Sequence, residues 1–289
     1  MRRVLFGVVV LALVMAADHP ARTQGQVQPQ DPPIPHGSGQ NVSPSFEGWY
    51  KNADGTYSLS FGYLNRNYQE EPDVQVGPNN RFSPGQEDRG QPTHFMPRRQ
   101  FGVFAVVVPK EFANDKNNRL TWTVTVHGQT SAIPGHLRPE WEIDALKEAT
   151  SGNTPPIVKL EPNGPTGQGP LGIAASMKVA SAGQPVTLVA FATDDGIKKR
   201  DQAERAGSAP ALGVAWTKFR GPGVVKFAQD VPKLENGKAT TTATFSEPGE
   251  YVLRLHAWDD SGRYAGGFQC CWTNAFMKVD VGGTKLQSR

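Results

Sequence analysis

The chain has 289 residues, 30 basic and 27 acidic side chains, and 2 cysteines. Without Arg2 and Arg3, which sit in an N-terminal leader, 28 basic groups face 27 acidic ones, a balance of +1, and so small a charge excludes a general attraction to nucleic acid or to an anionic membrane. Two cysteines exclude a dense disulfide framework, and the length less leader and linkers suits two domains of about 100 residues, each with its own core.

Arg2 and Arg3 precede an apolar run from Val4 to Ala17, and Val14 and Ala16 meet the small-residue rule for cleavage, so residues 1–16 are predicted to be a signal peptide. The run is shorter than the roughly 20 residues of a spanning helix, and no cysteine follows it to take a lipid. The expected location is periplasmic or extracellular, with no membrane insertion after cleavage. Residues 17–44, rich in Pro, Gln and Gly, lack the apolar content to offset the entropy of ordering and read as a flexible tether.

Residues 45–149 read as a sandwich-like β-domain. The run FEGWYK and the turn Asn52-Ala53-Asp54-Gly55 precede Thr56–Leu64, where Tyr57, Leu59, Phe61 and Tyr63 alternate with small residues, the pattern of a half-buried strand. Longer strands are expected at Phe101–Val108 and Leu120–His127, short ones near Val74 and Phe95, and a short helix near Trp141–Ala149. Residues 150–172 hold five prolines and five glycines and read as a linker. The literal G-x-G-x-x-G at Gly167–Gly172 is rejected as a dinucleotide site, because proline interrupts it and no amphipathic helix follows.

Residues 173–283 form a train of short strands: Val186–Thr193, Leu212–Phe219, VVKF after Gly221-Pro222-Gly223, Ala239–Phe245, Glu250–Trp258 and Phe268–Val281. A charged insertion, Asp194–Pro210, interrupts it. The succession AWTKFRGPGVV, then ATTTATFSEPGEYVLRLHAWD, resembles the PKD-like and related immunoglobulin-like modules of bacterial extracellular proteins, with PGEYVLRLHAWD its most specific part. The resemblance covers about the last hundred residues and implies an immunoglobulin-like sandwich there; such modules serve as spacers, adhesion units and binding domains alike, so it implies no single function. The expected fold class is all-β, two antiparallel sandwiches.

Strand parity assigns the final hairpin. Tyr251, Leu253, Leu255 and Ala257 face inward, which turns Arg254, His256 and Trp258 outward beside Trp272 and Phe276. Such an aromatic face docks against the first domain, is covered by Asp194–Pro210, or meets a ligand or partner. Cys270 and Cys271, neighbours on one strand, point to opposite faces; a vicinal disulfide, two thiols and intermolecular pairing all remain open.

Catalytic and metal readings rest on less. Glu140, Glu142 and Asp144 share a side and are the candidates for a glycoside-active pair, but sequence neighbours rarely achieve the required separation across a bond. His94, Met96, His127 and His136 suit copper by ligand type and match no ligand spacing. Asn52/Asp54, Asp194/Asp195 and Asp259/Asp260 are turn formers before they are calcium ligands. The sequence therefore reads as an exported non-enzymatic binding or structural protein without a cofactor, with a protein or carbohydrate partner and no nucleic acid. A periplasmic copper-type protein is the alternative, and a secreted glycoside-active enzyme the third reading.

Overall fold

The computed structural model describes residues 36–149, 151–197, 212–259 and 270–282. The expected signal peptide, residues 17–35 of the tether, most of the insertion after Ile197 and the connection 260–269 lie outside the described residues, while the end of the expected tether, Val42–Pro44, instead opens the first strand, with Val42 buried in the core. The described chain is all-β, with short 3-10 turns at Lys110–Asn114 and Pro139–Trp141.

Two three-stranded sheets build the first sandwich. One runs β1 (Val42–Lys51), β2 (Tyr57–Asn65), β4 (Arg98–Val108), and the other β3 (Asn80–Ser83), β5 (Leu120–Val126), β6 (Gln129–Gly135). Alternation dictates the core: Leu120, Trp122, Val124 and Val126 point in along β5 and meet Phe61, Phe82, Phe95 and Phe104. The Phe82 and Trp122 rings stack at 6.0 Å, and the Trp122 indole N–H donates to Asn80 Oδ1 at 3.0 Å. Asn80 Nδ2 in turn donates to the carbonyls of Val74 and Pro92 at 2.9 and 2.8 Å, which ties the long segment between β2 and β4 to the core. β5 ends at Val126, one residue short of the expected strand, because His127 (φ 50°) and Gly128 (φ 73°) make the tight turn into β6. Pro134 hid β6 from the sequence reading. β2 is also more than half-buried: Ser58 and Ser60, opposite the core-facing residues, are as buried as Leu59. In place of the helix expected at Trp141–Ala149, the chain after the Pro139–Trp141 turn runs along β1, with Ile143 N–H donating to the Trp49 carbonyl at 2.9 Å.

The second sandwich pairs the sheet β10-β13-β14-β8 with the sheet β11-β12-β9-β7. Its strands are β7 (Ile157–Lys159), β8 (Ile173–Ala180), β9 (Pro185–Thr193), β10 (Gly213–Arg220), β11 (Val225–Phe227), β12 (Lys238–Phe245), β13 (Gly249–Trp258) and β14 (Trp272–Val281). This is the immunoglobulin-type arrangement, in which the first strand is split between the two sheets. Two expectations are corrected here. The supposed linker 150–172 carries β7, which pairs with β9 and buries Val158 and Leu160 in the second core; the apolar pair Ile157-Val158 is masked in sequence by flanking prolines. The sandwich is also not wholly antiparallel, since the chain passes from β7 to the edge of the other sheet, where β8 runs parallel to β14. The described residues fall within one compact unit.

Candidate functional site at the junction of the sandwiches

β13 and β14 pair in register, setting Trp258 opposite Trp272, His256 opposite Asn274 and Arg254 opposite Phe276. Their inward side chains fill the second core, which includes neither Trp258 nor Trp272. The outward face meets β4. There the Gly102 carbonyl accepts hydrogen bonds from Asn274 Nδ2 at 2.8 Å, Trp272 Nε1 at 3.0 Å and Arg254 Nη2 at 3.1 Å. Three donors converge on one oxygen with two lone pairs, and Arg254 is held in place by a further bond from Nε to Asn274 Oδ1 at 2.9 Å. Gly102 has φ 51°, and a Cβ there would lie 2.2 Å from the Trp272 ring, so the contact requires glycine twice over.

Behind this carbonyl lies a buried charge pair. Gly102 N–H donates to Glu47 Oε2 at 2.5 Å, and Arg99 Nη2 reaches Glu47 Oε1 at 2.6 Å. Burial pushes the Glu47 carboxyl above the ordinary carboxylate range, and Arg99 and the Gly102 amide oppose that rise without cancelling it. On the apolar side, Phe219 of β10 leaves its own sandwich and joins the first core, its ring centroid 5.0 Å from that of Phe276, tilted, and 6.5 Å from that of Phe104, edge-on.

A second set of contacts fastens the end of β10 to the segment between β2 and β4. The Phe219 carbonyl accepts from the amides of Thr93 at 3.0 Å and His94 at 3.2 Å. Arg220 pairs with Asp88 through both terminal nitrogens, at 2.7 and 2.9 Å, and its Nε donates to the Gln91 carbonyl at 2.7 Å. Lys218 Nζ reaches Asp73 at 2.9 Å; Asp73 also bonds His94 Nδ1 at 3.0 Å, and His94 Nε2 bonds Glu71 at 3.0 Å. Burial disfavours the charged ring of His94, but the bonds to Asp73 and Glu71 outweigh it and hold His94 above the ordinary histidine range. Burial likewise works against the Asp73 carboxylate, and His94 and Lys218 together bring it below its ordinary range.

Of the five platform residues expected from sequence, the structure brings Arg254, Trp272 and Phe276 onto the first sandwich. His256 and Trp258 lie further along the same face, half-buried, with ring centroids 5.5 Å apart, and Trp258 packs over Gly213. Cys270 and Cys271 are joined by a disulfide at the start of β14, both buried, with Cys271 Sγ 3.7 Å from the Asn153 carbonyl oxygen. The G-x-G-x-x-G segment packs on β14: the Gly169 amide donates to Thr273 Oγ1 at 2.9 Å, and a Cβ on Gly172 would meet the Asn274 carbonyl at 2.2 Å.

The remaining candidates are dispersed in structural roles. Among the described residues no group of three His, Cys, Asp or Glu side chains is arranged to hold a metal ion. His94 has both ring nitrogens bonded to carboxylates, His127 bonds Glu70 at 2.8 Å, His136 packs edge-on against Phe46, and Met96 contributes a backbone amide to the Tyr63 hydroxyl. Asp54 and Asp195 bond their own turns, Asp144 accepts from the Ala149 amide, and Asp259 accepts from Asn153. Glu140 and Glu142 are exposed beside the 3-10 turn. Sequence reasoning missed Glu47, Arg99, Gly102, Phe219 and the Asp73–His94–Lys218 group. An isolated glycine inside a strand pattern, Gly102 in QFGVFAVVV, is the one signal that marks a close backbone approach.

No protein-family model matches the sequence, and no curated protein matches it. Solved structures of low identity overlap the chain. A conjugative transposon lipoprotein from Bacteroides eggerthii is 15% identical with TM-score 0.26, over 45% of this chain and 98% of its own. The D00-D0 domain of intimin is 11% identical with TM-score 0.27, over 83% of this chain and 99% of its own. The Yersinia pseudotuberculosis adhesin InvE is 12% identical with TM-score 0.25, over 83% of this chain and 58% of its own. At this level of overlap nothing of those proteins' roles passes to this chain.

Proposed function

We propose that this is an exported, non-enzymatic structural and binding protein in which two β-sandwiches act as one stiff element. The observation that carries the reading is the Gly102 carbonyl, where three side chains of the second sandwich converge on one backbone atom of the first. Junctions between tandem domains are ordinarily polar and permit relative motion. Here a side chain of one sandwich, Phe219, belongs to the core of the other, and the polar contacts at the junction are hydrogen-bonded. Export rests on Arg2, Arg3 and the apolar run behind them. A stiff tandem sandwich suits a protein that spaces or presents a surface, and the buried charges at the junction serve docking rather than chemistry on a substrate.

Small-angle scattering of the mature chain tests this. The expected profile is that of one rigid body, and the double variant Arg254→Ala/Trp272→Ala should broaden it while the circular dichroism of the β-sheets persists. A wild-type profile that demands an ensemble of relative sandwich orientations would overturn the reading.

A further inference from the structure

The outer face of the sheet β10-β13-β14-β8 is divided. Arg254, Trp272, Asn274 and Phe276 are covered by the first sandwich, whereas Met177 on β8, Lys278 on β14 and Glu250 and Val252 on β13 floor an open cleft of about 560 Å³. Its wall is the segment fastened to β10, contributing Val76, Asp88 and Thr93, with Arg220 at the corner. The volume falls in the range of ligand sites rather than surface dimples.

Three features of the lining select a ligand class. Thr93 lines the cleft and is 3% exposed, and its hydroxyl has no hydrogen-bond partner among the described residues. A buried hydroxyl without a partner costs stability and gains nothing within the protein, unless a ligand supplies the bond. Glu250 and Lys278 bring opposite charges to neighbouring strands, and neither is in an ion pair among the described residues, while Asp88 and Arg220 neutralise each other. Val76, Val252 and the half-exposed Met177 are apolar. Among the described residues that line the cleft the one aromatic, Tyr251, is 1% exposed and belongs to the core, so none of them offers a ring for a sugar to stack on. Both charge signs, apolar patches and a waiting hydroxyl are the complement of a polypeptide.

Geometry sets the length. From β8 to β10 is three inter-strand spacings, about 14 Å, which an extended chain covers in about four residues. We propose that this cleft binds an extended, mixed-charge peptide segment of a partner protein, lying across the strands. An acidic side chain meets Lys278, a basic one meets Glu250, apolar side chains rest on Val252 and Met177, and a main-chain group bonds the Thr93 hydroxyl. The inference deepens the reading of this protein as a structural and binding element and rests on it.

The test titrates the mature chain with positional-scanning mixtures of acetylated, amidated hexapeptides and follows backbone amide shifts by NMR. Saturable binding is expected at Met177, Val252 and Lys278, with an acidic preference at one peptide position and a basic preference at another. Lys278→Glu should turn the first preference from acidic to basic. Thr93→Val should weaken binding about tenfold while Tm stays level or rises, a combination that a merely structural hydroxyl does not produce. Absence of saturable binding, selectivity unchanged in Lys278→Glu, or displacement of the peptides by chitohexaose or cellohexaose would overturn the proposal. If the cleft fails while scattering still shows one rigid body, the structural reading stands and only the site falls.

Discussion

Trp272 and Gly102, 170 residues apart, are bonded indole N–H to carbonyl at 3.0 Å, and the absence of a side chain on Gly102 is what allows the ring to approach. Gly102→Ala should therefore destabilise the chain by about 2 to 4 kcal/mol, combining an unfavourable backbone region with a side-chain clash. Trp272→Phe keeps most of the ring, loses one hydrogen bond and should cost about 1 kcal/mol. Urea unfolding of the two variants checks the order; equal losses would mean that the close approach does not matter.

Glu47 gives a pH dependence with a definite sign. Its carboxyl is raised by burial in the folded chain, so the fold binds that proton more tightly than the unfolded chain does. Its contribution to stability therefore falls as pH climbs from the ordinary carboxylate range through the raised value. Glu47→Gln should flatten that slope in unfolding measured across acidic to neutral pH, and Arg99→Met, which removes the opposing charge, should extend it to higher pH.

His94 acts in the same direction, in a higher pH range. Held above the ordinary histidine range, its contribution is full below that range and is lost as pH rises through the raised value. Asp73, lowered, contributes above the ordinary carboxylate range and loses its share as pH falls through the depressed value. The Lys218–Asp73–His94–Glu71 contact is thus strongest between those two titrations. The expected effect is below about 1 kcal/mol, because the Asp73 and Glu71 side chains are each 43% exposed and screened. Stability at mildly acidic pH should exceed that at alkaline pH in the wild type, and His94→Gln should remove this component.

The disulfide between Cys270 and Cys271 closes almost no chain, so it restrains the unfolded state little. Its contribution comes from two buried sulfur-bearing side chains. Reduction after unfolding should raise the intact mass by about 2 Da with no dimer lost on a non-reducing gel, whereas the native protein should resist reductant. Ready alkylation of the native chain under mild reductant would show that the pair is not shielded as described.

Period-two alternation was legible without coordinates. It assigned Tyr251, Leu253, Leu255 and Ala257 to the second core and turned Arg254, Trp272 and Phe276 outward, because Cβ direction along a strand is a local property of the backbone. The strands of β2, β4, β5 and β9 to β14 announced themselves by apolar alternation and turn residues. β7 did not, since three residues between prolines carry too little pattern, and neither did β6, whose Pro134 argues against a strand.

The sequence by itself determined that this is an all-β chain, which side chains share each strand face, and where its two cysteines lie. Only the tertiary structure decided what each outward face meets: the Gly102 carbonyl for Arg254, Trp272 and Asn274, the first core for Phe219, and Asp73 for Lys218 across 145 residues. The physical reason is that facing is encoded one residue at a time by backbone geometry. The partner of a face depends instead on how two sandwiches fit against each other, and no local periodicity records that.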